Sequence, residues 1–86
     1  MRHEEFTMPY TQTILEELNI LVRYNLSTTQ EGIKVHKTTA APEICAATQR
    51  LFKKGLVSQE DGGYLTNLGL ETAKQAQAVL DILSPA

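Results

Sequence analysis

Apolar residues at Ile14, Leu15, Leu18, Leu21 and Val22 recur three and four apart and predict a helix over residues 11–25 with one apolar stripe. Thr13 with Glu16 three positions on reads as a capping box, in which each side chain satisfies an orphan backbone N–H. Glu16 and Glu17 fall early and Arg23 late, as the helix dipole favours. A second pattern over residues 40–54 places Ile44, Ala47, Thr48 and Leu51 on one side and Ala46, Gln49, Arg50 and Lys53 on the other. Pro42 suits its first turn, and Lys53, Lys54 and Gly55 suit its end.

Between these two helices the pattern is weaker. Ser27 with Gln30 and Thr28 with Glu31 form two overlapping capping boxes and predict a short helix near 28–36. Gly32 weakens it by about 1 kcal/mol relative to Ala, and the alternation of Ile33 and Val35 equally suits a short strand. We take the helix as the expectation. Past Gly55, two short apolar runs flank Asp61-Gly62, a pair able to supply both positive φ angles of a type I′ turn, so a two-stranded hairpin is expected at about 56–66. A last helix follows over about 67–83, with Asn67 as its N-cap. Ala73, Ala76, Leu80 and Leu83 alternate four and three apart, the seam of a two-heptad helix contact. Leu15, Leu18, Ile44, Leu51, Leu56, Leu65 and Leu80 are the expected core.

The resulting order is helix, helix, turn, helix, hairpin, helix. The expected fold class is therefore mainly α with a small β-hairpin (α+β), a winged helix-turn-helix, with the third helix free to enter a major groove. Residues 1–10 read as a flexible arm and 11–86 as one winged-helix domain. Leu51, Gly55, Leu56 and Val57, followed by Leu65, Thr66, Gly69 and Ala73, resemble the recognition-helix exit and post-wing signature of MarR-type regulators. GIKVHKTTAAPE, RLFKKGL and DGGYLT are similar to a family of small uncharacterised bacterial proteins described as DNA-binding. The resemblance implies a transcription regulator that docks helix 40–54 on duplex DNA.

Charge both helps and hinders that expectation. The chain carries a formal charge of −2. Residues 34–54 nevertheless hold Lys34, Lys37, Arg50, Lys53 and Lys54 against Glu43 alone, and a local basic segment can steer a polyanion. Gln49 and Arg50 are the candidate base readers, since Gln pairs bidentately with adenine and Arg with guanine. Lys37, Thr38, Thr39, Lys53 and Lys54 are the candidate phosphate contacts. Glu60 and Asp61 at the wing tip oppose phosphate. They point instead to the alternative function, a winged-helix protein-interaction module that does not bind DNA. A homodimer through helix 1 and the last helix is expected on the strength of the Ala73–Leu83 seam.

Other chemistry is thinly represented. No Ser/His/Asp set, phosphate loop or carboxylate pair suggests an enzyme, and no cofactor is implied. His36 and Cys45 lack the spacing and the companions of a metal site. Cys45, the only cysteine, excludes an internal disulfide and fits a reducing compartment. No apolar run approaches the length of a membrane span, and MRHEEFTMPY is not a signal peptide, so a cytoplasmic location is expected.

Overall fold

A computed structural model describes residues 8–28 and 30–85. Its elements are α1 (Gln12–Leu21), β1 (Ile33–Lys34), α2 (Pro42–Lys53), β2 (Val57–Gln59), β3 (Gly62–Leu65) and α3 (Asn67–Leu83). The three strands form one antiparallel sheet in the order β1-β3-β2. This is an α+β fold, three helices and a small sheet among the described residues, compatible with a winged-helix arrangement. Of the arm expected over 1–10, residues 8–10 are exposed and 1–7 lie outside the described residues.

Four expectations about the elements are corrected. First, no helix forms among the described residues of 28–36. Ile33 and Lys34 pair instead with Gly63 and Gly62, and Val35 N–H donates to the Asp61 carbonyl at 2.8 Å. Of the side chains that read as capping boxes, Thr28 closes a local turn instead, and Asn25 closes another just before it. Ser27 N–H donates to Asn25 Oδ1 at 2.9 Å and Gln30 N–H to Thr28 Oγ1 at 3.1 Å, the competing use of such side chains. The place of a docking helix is taken by one turn, in which Thr39 and Ala40 N–H both donate to the His36 carbonyl. Among the described residues the helices therefore number three, not four.

Second, α1 starts and stops inside the expected 11–25. Its cap is Thr11, whose Oγ1 accepts from Ile14 N–H at 3.2 Å, rather than Thr13. Third, the cap of α3 is Thr66 rather than Asn67. Fourth, the hairpin turn is not type I′ at Asp61-Gly62. Positive φ falls at Gly62 and Gly63, and no described residue other than glycine has it. Gln59 pairs with Gly62 across Glu60-Asp61, and a bulge sets Gly63 and Tyr64 opposite Ser58. The Ser58 hydroxyl fills the gap in the ladder, accepting from Tyr64 N–H at 2.9 Å.

The two signature segments are backbone devices. At the end of α2, Gly55 N–H donates to the Phe52 carbonyl and Leu56 N–H to the Leu51 carbonyl, the paired bonds of a Schellman stop. Gly55 sits at φ 81°, where a side chain is disfavoured, and Leu51 and Leu56 are both buried in the core, the apolar pairing that accompanies this motif. At the start of α3, Thr66 N–H donates to the Leu56 carbonyl at 3.1 Å and its hydroxyl to the Gly55 carbonyl at 2.6 Å. The same oxygen accepts from Gly69 N–H at 3.0 Å. Gly69 lies so close to the Leu56 carbonyl that a Cβ there would collide with it. Leu-x-x-x-Gly-Leu and Leu-Thr-x-x-Gly thus describe one joint that ties the neck of the hairpin to both flanking helices.

The core contains Ile20, Leu21, Tyr24, Ala47, Leu51, Leu56, Val57 and Ala73, with Ile44 and Leu65 packed against it. Thr48 is fully buried and returns its hydroxyl to the Ile44 carbonyl at 2.7 Å. Of the expected core, Leu51 and Leu56 are buried and Leu18, Ile44 and Leu65 half-buried, but Leu15 and Leu80 are 41% and 46% exposed. The cause lies in α1, which carries two apolar stripes. Ile20, Leu21 and the following Tyr24 enter the core together with Glu17, whereas Leu15, Leu18 and Val22 face the flank of α3. The second stripe has the stronger periodicity in the sequence, but the first is the one that is buried.

Candidate functional site

Glu17 is a carboxylate on the buried stripe of α1, three and four residues before Ile20 and Leu21, and its side chain is 7% exposed. Such a charge persists in a core only when it is paired and hydrogen-bonded. The partners come from α2. Arg50 Nε lies 2.7 Å from Glu17 Oε2, and Lys54 Nζ lies 2.6 Å from Glu17 Oε1. Arg50 Nη2 also reaches Glu16 Oε1 at 3.6 Å and the Thr13 carbonyl at 3.3 Å. Burial alone would raise the Glu17 pKa. The hydrogen bonds from Lys54 and Arg50, reinforced by their charges, outweigh that and hold it below the ordinary carboxylate value.

This clamp redistributes the expected DNA-contacting residues. Arg50 and Lys54 lie on the flank of α2 that faces α1, each occupied by a carboxylate. Lys34, the first cation of the basic segment, lies 3.7 Å from Asp61 Oδ2. Lys37, Thr38 and Thr39 are exposed in the turn before α2, and Lys53 is exposed near its end. Gln49 is half-buried in a cleft of about 440 Å³ between α2 and the hairpin, which Lys37 shares. The other walls of that cleft include Cys45, Phe52, Glu60 and Asp61. The structure brings Lys37 and Gln49 together and separates them from Arg50 and Lys54.

Across the molecule, the hairpin is anchored by a residue the sequence reading passed over. Tyr24, just past α1, is buried, and its hydroxyl donates to the Gly63 carbonyl at 3.1 Å. Burial, with the nearby Asp61 charge, pushes its phenol up to about 12. Glu17, Ile20 or Leu21, and Tyr24 keep the three-and-four spacing of a helix face, the signal by which both Glu17 and Tyr24 could have been found.

Residues 8–84, from the approach to α1 through the end of α3, match the model of a family of unknown function, DUF5669. The chain belongs to the DUF5669 family. No curated protein matches it. No solved structure matches it either. In this DUF5669 chain no group of three or more His, Cys, Asp or Glu side chains that could hold a metal occurs among the described residues. No described helix is long and apolar enough to cross a membrane.

An apolar recess of the DUF5669 chain lies elsewhere, between α1 and α3. It encloses about 380 Å³ and is lined by Leu15, Leu18 and Val22 from one helix and Ala76, Val79 and Leu80 from the other. Tyr10 and Leu83 close its ends, and Asn19, Thr72 and Gln75 complete its walls. Among the described residues, no charged side chain lines it. A contiguous apolar surface of this kind is characteristic of a protein contact.

Proposed function

We propose that this DUF5669 chain is a protein-interaction module built on a winged-helix arrangement, and that it does not read DNA. The observation that carries this is the capture of Arg50 and Lys54 by Glu17. A duplex-binding surface draws its affinity from cations that neutralise phosphates. Two of the best-placed cations of the basic segment are already neutralised within the fold, and Lys34 lies beside Asp61. The cleft beside α2 adds Glu60 and Asp61, which repel phosphate. The docking helix that braces a recognition helix is reduced to a single turn. The apolar recess between α1 and α3 supplies the contact surface instead.

A second reading, a DNA-binding regulator with α2 in the major groove, is favoured by one observation. Lys37, Thr38, Thr39 and Lys53 are exposed around α2, and Gln49 lies between them in the cleft. Such a set supplies two phosphate-neutralising charges and one base reader, with Arg50 and Lys54 left out.

Anisotropy titration against random-sequence duplex at low and moderate salt separates the two. The interaction module gives no saturable binding at moderate salt, and Arg50→Ala changes nothing. Glu17→Gln, which releases Arg50 and Lys54, raises non-specific binding above that of the unmodified chain. Saturable binding of the unmodified chain, weakened in Lys37→Ala or Lys53→Ala and with log affinity falling linearly in log salt, would falsify the proposal.

A further inference from the structure

The walls of the cleft beside α2 are set by the fold itself. One wall is a stripe of α2, with Cys45, Gln49 and Phe52 at helical spacings. The facing wall is the hairpin tip and the chain leaving β1. Val35 N–H donates to the Asp61 carbonyl at 2.8 Å, and the Tyr24 hydroxyl to the Gly63 carbonyl at 3.1 Å. The Thr66 hydroxyl ties the other end of the hairpin to Gly55, at the end of α2. At about 440 Å³ the cleft falls within the size range of small-ligand sites, and its walls are held in place before anything enters.

Its charges are of opposite sign and stay apart. Lys37, Glu60 and Asp61 line the same cleft, yet among the described residues no ion pair joins the lysine to either acid. Asp61 lies beside Lys34 instead, at a loose 3.7 Å. Where acid and base meet in this fold they meet closely, as Glu17 does with Arg50 at 2.7 Å and with Lys54 at 2.6 Å. The same cleft presents two amides, Gln49 and Gln59, each able to donate and to accept. Phe52 adds a partly exposed ring.

This lining selects a ligand by exclusion. A simple anion is attracted by Lys37 and opposed by Glu60 and Asp61, and a simple cation meets the reverse. An apolar molecule would strip water from charges and amides and return no hydrogen bond. No metal-binding group of side chains occurs among the described residues. A molecule carrying both charges suits every wall at once.

We infer that the cleft binds a zwitterion of amino-acid or dipeptide size, with its ammonium at Glu60 and Asp61 and its carboxylate at Lys37. Glu60 is the main acidic anchor, because Asp61 is shared with Lys34. The ligand side chain packs on Phe52, and its peptide group hydrogen-bonds to Gln49. Gln49 is then a ligand contact rather than a base reader. The inference goes beyond the interaction-module reading and does not depend on it.

Titration of the unmodified chain with alanylphenylalanine, followed by backbone amide nuclear magnetic resonance shifts, tests this. Saturable shifts centred on Gln49, Ser58 and Gln59 are expected. The N-acetylated and C-amidated dipeptides each lack one charge and should bind at least about threefold more weakly. Lys37→Ala and Glu60→Gln, both at exposed positions, should weaken the dipeptide by a similar factor with unchanged far-ultraviolet circular dichroism. Lys74→Ala, exposed on α3, should bind like the unmodified chain. Three results overturn the inference: no saturation below about 10 mM, equal binding of the blocked dipeptides, or normal binding by both cleft variants. The duplex titration is read separately. Failure of the dipeptide leaves the interaction-module reading standing, and saturable duplex binding removes that reading without touching the dipeptide site.

Discussion

Residues 51–73 and residues 24–41 are of similar length, yet the chain specifies them in opposite ways. In the first, the constraints are local and coincide. The Schellman stop at Gly55 and the Thr66 cap each close within five residues, and the contacts of Thr66 and Gly69 with Gly55 and Leu56 join positions no more than 13 residues apart. In the second, the shape comes from far away. Ile33 and Lys34 are strand only because Gly63 and Gly62 pair with them, and Tyr24 is held by Gly63. A joint made of local bonds is written in the sequence as a motif, while a strand borrowed from a distant hairpin leaves little more than a weak alternation.

Substitutions can break or sharpen this contrast, and the largest effect belongs to the local joint. Leu51→Ala removes a fully buried side chain at the Schellman stop and should cost roughly 2–5 kcal/mol in denaturant unfolding. A loss under about 0.5 kcal/mol would mean that the α2 end is not the centre of the core. Gly69→Ala drives a Cβ into a backbone carbonyl that cannot rotate away, and roughly 1–3 kcal/mol of destabilisation is expected, despite the better helix propensity of alanine. Equal or greater stability in that variant would show that the neck of the hairpin is loose.

Between the two regions stands the Glu17 clamp. Glu17→Gln leaves Arg50 and Lys54 without their anion and should cost about 1–2 kcal/mol, toward the low end because half-exposed Lys54 is screened by solvent. The folded-state pKa of Glu17 is lowered, so its contribution is complete above the ordinary carboxylate pKa and disappears as pH falls through the folded value. Stability measured from neutral to acidic pH should therefore fall less steeply in Glu17→Gln than in the unmodified chain. Parallel profiles would remove Glu17 from the account.

On the borrowed side the effects shrink. Tyr24→Phe loses one hydrogen bond to Gly63 and should cost about 0.5–1.5 kcal/mol. The phenol is raised to about 12 in the folded chain, so its contribution is intact below the ordinary tyrosine pKa and is lost as pH rises toward 12. The alkaline end of the stability profile should flatten in Tyr24→Phe. Thr28→Ala, which removes one exposed turn bond, should stay within about 0.5 kcal/mol. A larger loss would place a local constraint where we find a borrowed one.

The same distinction explains what the sequence made legible. α2, the hairpin and α3 were readable because Pro42, Gly55 and the Asp61-Gly62-Gly63 run punctuate them. The helix expected at 28–36 was not, because the Asn25 and Thr28 side chains close turns with the same kind of bond that caps a helix. Leu15 and Leu80 were expected in the core because periodicity reveals an apolar stripe but not what covers it. Arg50 was expected at DNA because its helix face was judged on α2 alone, while the carboxylate that holds it lies on α1, 33 residues earlier. Cations close in sequence share a surface only when no acid from another element reaches them first.

The joint at Thr66 has a mechanical meaning as well. α3 is a rod of about 25 Å at 1.5 Å per residue, clamped at one end to the neck of the hairpin and free at the other. A rod fixed this way is a lever. Its base is set by the Thr66 bonds to Gly55 and Leu56, where α2 ends and the hairpin begins, so the direction in which Ile82 and Leu83 project is fixed at the neck of the hairpin.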